Sequence, residues 1–117
     1  MKWTSSLRLG APLSTGNRAR LKRVESALCR LGLPDLTYST VALSQASATV
    51  ASVANCALLV SYEIVVAIKY PDGTVSAVNR QTHSRTTDRA IDAFIGRLVP
   101  SWFSQAEFDL VLRSRFK

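Results

Sequence analysis

A chain of 117 residues with 47% apolar and 20% charged side chains can fill a single core, which excludes both a disordered protein and a pair of domains. Its net charge of +7 is uneven: residues 1–31 carry +6, residues 32–79 carry −2 and residues 80–117 carry +3. The apolar stretch 57–68 is interrupted by Ser61, Tyr62 and Glu63 and is too short to cross a bilayer, and "MKWTSSLRLGAPLS" has no continuous apolar run, so a cytoplasmic protein without a secretion signal is expected.

Residues 1–16 read as an irregular arm, in which Trp3 either pins the arm to the core or makes a contact. The first regular element is a helix over residues 17–31, where Leu21, Val24, Leu28 and Leu31 recur at helical spacing. Gly32 allows a left-handed turn at its end and Pro34 forbids continuation. Arg18, Lys22, Arg23 and Arg30 fall away from the apolar stripe and make this a basic amphipathic helix. Such a face is either an ordinary solvated surface or the footprint of an acidic partner.

Residues 36–43, "LTYSTVAL", read as a strand, and a short strand is expected within 44–56. "ALLVSYEIVVAIKY" is nearly continuous and β-branched, as in a central strand, with a bend or bulge at Glu63 dividing it. "YPDGT" predicts a reverse turn, so residues 64–79 form a hairpin. Ile91, Phe94, Ile95 and Leu98 then mark a helix over 88–98, with Thr86 or Thr87 as its N-cap and Asp88 suited to the dipole. Ser104 and Glu107 make a capping box, with Phe103 and Phe108 as its hydrophobic staple, for a last helix from Gln105 to about Arg113. The expected fold is therefore α+β: one domain with four to five antiparallel strands, packed by a basic N-terminal helix and two C-terminal helices.

Residues 58–95 also carry a pattern of Leu59, Ser61 and Tyr62, then Val66 and Ala67, Gly73 and Val75, then Ser84, Thr86 and Thr87, and Phe94. In order and spacing it resembles a recurring small domain of unknown function, seen mostly in proteins of phages, plasmids and other mobile elements. Members often place a threonine soon after the tyrosine, where this chain has Glu63, Ile64 and Val65. The resemblance implies a fold and a mobile-element origin, and no reaction.

The residues give little for catalysis. His83 is the one histidine, and no CxxC or HxxxH spacing accompanies it, so no metal site is expected and Cys29 and Cys56 read as reduced thiols. Asp88 and Asp92 share a helix face, which reads as a solvated pair rather than a metal site. No glycine-rich nucleotide loop is present, and no cofactor is expected. Ser84, Thr86 and Thr87, with Arg80, Arg85 and Arg89 nearby, could hold a phosphate at a helix start, but capping alone also accounts for the hydroxyls. Tyr38, Tyr62 and Tyr70 read as strand-borne packing residues, and Trp102 and Phe103 as buried against the final helix.

The expected function is non-enzymatic: binding of nucleic acid, or of a host nucleoprotein complex, through Arg18, Lys22, Arg23, Arg30, Arg80, Arg85 and Arg89, as an inhibitor of host defence such as an anti-CRISPR would do. The alternative is a structural or self-associating module, a homodimer for instance, with incidental charge. A small nuclease or toxin using His83 is a third reading.

Overall fold

The computed structural model describes residues 15–42, 48–79 and 83–116. Residues 1–14, 43–47, 80–82 and 117 lie outside the described residues, and with them most of the arm expected over 1–16, whose last two residues are instead the start of the first helix. The element order is α1 (Thr15–Arg30), β1 (Ser39–Ala42), β2 (Ala48–Val53), β3 (Cys56–Ser61), β4 (Ile64–Lys69), β5 (Val75–Val78), α2 (Arg85–Ile95), β6 (Ser101–Phe103) and α3 (Gln105–Phe116). All six strands join one sheet in sequence order. The first five form an antiparallel meander, and β6 lies parallel to β5 at the edge.

This is the expected α+β architecture with one addition. The two C-terminal helices are present but not directly consecutive, because the short strand β6 separates α2 from α3. Three residues are too few to display alternation, and their pairing with Ser76, Ala77 and Val78 is long-range. Trp102, expected to be buried, is 39% exposed on this edge strand, whereas Phe103 does pack against the core.

The hairpin turns are set by local chemistry. β2 and β3 meet through Ala54 and Asn55, both at positive φ, as a two-residue turn between twisted strands requires. The continuous apolar run divides at Tyr62 and Glu63, which form the turn between β3 and β4. Its register shift lies instead between Leu59 and Val60. In the β4–β5 turn the Asp72 carboxylate accepts from the Thr74 hydroxyl and amide, at 2.6 and 2.9 Å, and these bonds hold its pKa below the ordinary carboxylate value.

Register shows which side chains share a face. Thr49, Ala51 and Val53 pair with Val60, Leu58 and Cys56 on one side of the sheet; Ser61, Leu59 and Ala57 look to the other, with Ala67 and Lys69. α1 and α3 cover the first side. Arg20 of α1 reaches Thr49, Arg115 of α3 donates to Cys56 Sγ at 3.8 Å, and Arg113 donates to the Leu31 carbonyl at 2.9 Å. α2 covers the second side: Thr87 meets Ser61 and Lys69 lies 4.6 Å from the Phe94 ring centroid. The core is thus a sheet sandwiched between helices, with Val24, Leu28, Leu58, Leu59, Ile68, Ile91 and Phe108 essentially inaccessible.

The helix ends follow their sequence signals closely. α1 stops where Gly32 takes φ 77, and its amide donates to the Cys29 carbonyl at 3.0 Å. α3 opens with the expected reciprocal cap: Glu107 N donates to Ser104 Oγ at 3.2 Å, and Ser104 N to Glu107 Oε1 at 3.0 Å. α3 also runs beyond Arg113, to Phe116.

α2 departs from expectation at both ends. It spans Arg85–Ile95 rather than 88–98, and its N-cap is Ser84, whose hydroxyl accepts from Thr87 N at 3.3 Å. Gly96 at φ 61 closes it, so Leu98 falls outside the helix and is 41% exposed.

Candidate functional site

The cations of α1 do not form one open stripe. Arg20 turns inward, donating to the Ala48 carbonyl and to Thr49 Oγ1 at 3.4 Å, and so ties α1 to β2. Arg23 is half-buried, and Arg30 reaches Glu63 at 3.4 Å across solvent-exposed side chains. Lys22 remains exposed. The Arg18 side chain and Arg80 lie outside the described residues.

The same helix carries a contact to a half-buried phenol. Tyr38 lies in the approach to β1 rather than in the strand, and its hydroxyl donates to Glu25 Oε1 at 3.2 Å. Burial, then the negative charge of Glu25, pushes the phenol up to about 12 from an ordinary 10.0. The folded state therefore favours the neutral phenol. Its contribution is complete below about pH 10 and is lost as pH rises toward 12, because the unfolded phenol ionises first. Denaturant midpoints measured across that window should fall for the native chain, and less steeply for Tyr38→Phe.

α2 presents a different surface. Thr87, Ala90, Ile91, Phe94 and Ile95 are buried against the sheet. Arg85 and Arg89 lie one turn apart on the opposite, solvent side, about 6 Å along the axis. Both are exposed, and neither makes a hydrogen bond or ion pair among the described residues. Arg97, just past the helix, is exposed as well. Asp92 shares the outer face and is itself engaged within the chain. Because α1 and α2 cover opposite faces of the sheet, Lys22 and Arg30 do not share one flat surface with Arg85 and Arg89.

The hydroxyl cluster at the start of α2 divides by burial. Thr87 is 2% exposed, with its Oγ1 2.8 Å from Ser61 Oγ and 3.3 Å from Ser84 Oγ. It points into the protein and is withdrawn from any phosphate outside. Ser84 accepts the Thr87 amide, and Thr86 is exposed. Of the recurring pattern, Leu59, Ser61, Val66, Ala67, Val75, Thr87 and Phe94 are buried, with the Ser61–Thr87 hydroxyl pair seating α2 on β3, while Tyr62, Gly73, Ser84 and Thr86 are exposed. Helical spacing alone could have placed Thr87 inside, since it lies on the stripe with Ile91 and Phe94.

His83 stands just before the cap, and its Nε2–H donates to Gln105 Oε1 at 2.8 Å. The Gln105 amide in turn donates to Asp109 Oδ1 at 2.8 Å and to the Val65 carbonyl at 3.3 Å. The ring therefore links the approach to α2 with the first turn of α3. Beside it, α1, the β3–β4 turn and α3 line a half-open pocket of about 400 Å³ bounded by Arg30, Leu31, Glu63, Val65, Gln105 and Asp109. A larger hollow of about 590 Å³ lies between the β4–β5 turn and α3, where Arg115 covers the Tyr70 ring at 5.3 Å. Cys29 is exposed and Cys56 buried, both as free thiols. Among the described residues no group of three His, Cys, Asp or Glu side chains could hold a metal ion, and no helix is long and apolar enough to cross a membrane.

No match was found among curated proteins or solved structures. Residues 36–109, from the approach to β1 into the first turns of α3, match a family model described as a family of unknown function (DUF8033), and the chain belongs to that family.

Proposed function

We propose that this domain is a non-enzymatic binding protein whose α2 ridge engages the phosphate backbone of nucleic acid, free or within a nucleoprotein complex. The observation that carries the reading is the pair Arg85 and Arg89, exposed, adjacent and without an anionic partner among the described residues. Two guanidinium groups in that state on a chain of net charge +7 favour a polyanion over an uncharged partner. The ridge also lies within the matched family region, whereas α1 lies outside it. A phage or mobile-element setting, which the sequence resemblance implies, would make a host defence complex the natural nucleoprotein target.

Binding of a fluorescent oligonucleotide should weaken as salt rises, with a slope set by the number of phosphates neutralised. Arg85→Gln/Arg89→Gln should lower affinity by about 10-fold or more at low salt and flatten that slope by roughly two counterions, with the thermal midpoint unchanged. Absence of binding at low salt removes this reading.

A self-associating module is the second reading, because Leu98, Val99 and Trp102, 41%, 90% and 39% exposed, flank or form the edge strand β6. Sedimentation of a monomer at high protein concentration would dismiss it.

A further inference from the structure

Tyr62 is out of place by every rule of folding. It occupies the β3–β4 turn at φ 55, a backbone conformation that Gly and Asn adopt readily and a bulky aromatic residue does not. Such strain persists where burial or hydrogen bonding compensates, yet Tyr62 is 50% exposed and does not pack against the core cluster. Its hydroxyl makes no hydrogen bond among the described residues. The other two tyrosines differ: Tyr38 donates to Glu25, Tyr70 lies beneath Arg115, and both pack on the core. Tyr62 is therefore half-exposed at a positive φ, with neither core packing nor a hydroxyl partner among the described residues to offset the strain.

Its location supplies the reason. Tyr62 directly follows Ser61, whose hydroxyl touches Thr87 in the first turn of α2, so the β3–β4 turn lies near the N-terminal end of the helix that carries Arg85 and Arg89. Glu63 beside it is paired with Arg30, which removes a bare negative charge from the approach. An exposed ring on a turn near the end of a helix with exposed guanidinium groups suits a single strand: the base stacks on the ring while phosphates meet the cations. A duplex offers no free base face and would use the cations alone.

We infer that Tyr62 is the stacking platform of this surface, and that the ligand is single-stranded nucleic acid whose backbone follows Arg85 and Arg89. The inference rests on the proposed function and narrows its ligand. It has a thermodynamic signature that a structural tyrosine would not give, because replacing Tyr62 should help folding and harm binding.

Anisotropy titrations of single-stranded and duplex oligonucleotides of one sequence, with native protein, Tyr62→Phe and Tyr62→Asn, test it alongside thermal melts. The native chain should prefer the single strand, and Tyr62→Phe should keep that preference. Tyr62→Asn should lose about 5- to 100-fold on the single strand, the range of base–aromatic stacking, and little on the duplex. Its midpoint should rise by roughly 3–6 °C as the positive φ is relieved. Equal affinity for both forms, or single-strand affinity that survives Tyr62→Asn, overturns the stacking role while leaving the arginine ridge intact. A lowered midpoint for Tyr62→Asn overturns it too, by making the ring structural. Failure to bind either form at low salt removes the proposed function and this inference together, as does binding of polyglutamate in their place.

Discussion

Phe108→Ala should destabilise the domain by about 3–5 kcal/mol, the cost of removing a fully enclosed aromatic ring and leaving a cavity that its neighbours only partly fill. Phe108 is completely inaccessible and is the largest such side chain in the core. It also sits one residue past Glu107 of the capping box, and both it and Phe103, the two positions of a hydrophobic staple, join the core at the start of α3. A domain of ordinary stability holds about 5–15 kcal/mol, so the variant should lose a large share of it. Leu110→Ala on the same helix provides the contrast. Leu110 is 62% exposed, and its loss should stay within about 0.5 kcal/mol. Urea denaturation of both variants checks the claim; equal midpoints would mean that α3 does not dock on the sheet as described.

Phe108 was legible because its context is local. The Ser104–Glu107 spacing and the flanking phenylalanines need no knowledge of the rest of the chain, and the reciprocal cap forms as they imply. The same holds for the α1 stripe of Val24, Leu28 and Leu31 and for the turn at Asp72 and Gly73. What escaped was decided across the fold. Strand β6 exists because Ser101, Trp102 and Phe103 come alongside β5 after the α2 crossover, and a three-residue pairing leaves no periodicity to read. Arg20 lies in the middle of a basic run, and only its approach to Ala48 and Thr49 of β2 separates it from a surface cation.

The candidate site was legible in its residue types and illegible in its division. The sequence places seven cations in one footprint, but α1 and α2 lie on opposite faces of the sheet and Arg30 meets Glu63. Arg85 and Arg89 emerge as the open pair because their helix buries the reverse side. Tyr62 read as a packing residue because aromatic types are common in strands, and its positive φ has no counterpart in composition or spacing.

The buried hydroxyls between β3 and the first turn of α2 provide the sharpest test of folding against ligand binding. Thr87→Val keeps the shape of the side chain but leaves Ser61 Oγ buried without its 2.8 Å partner, and should cost about 1–3 kcal/mol. Ser61→Ala should cost less, because Thr87 Oγ1 still lies 3.3 Å from Ser84 Oγ. With both replaced, no orphaned hydroxyl remains between β3 and α2, so the double variant should be more stable than the sum of the single losses predicts, by about 0.5–2 kcal/mol. Oligonucleotide affinity at a temperature where every variant is folded should not change, because Thr87 faces the sheet. Additive losses would deny the hydroxyl pair. Retained stability with lost affinity would instead return Thr87 to the phosphate, and α2 would have to open for it to get there.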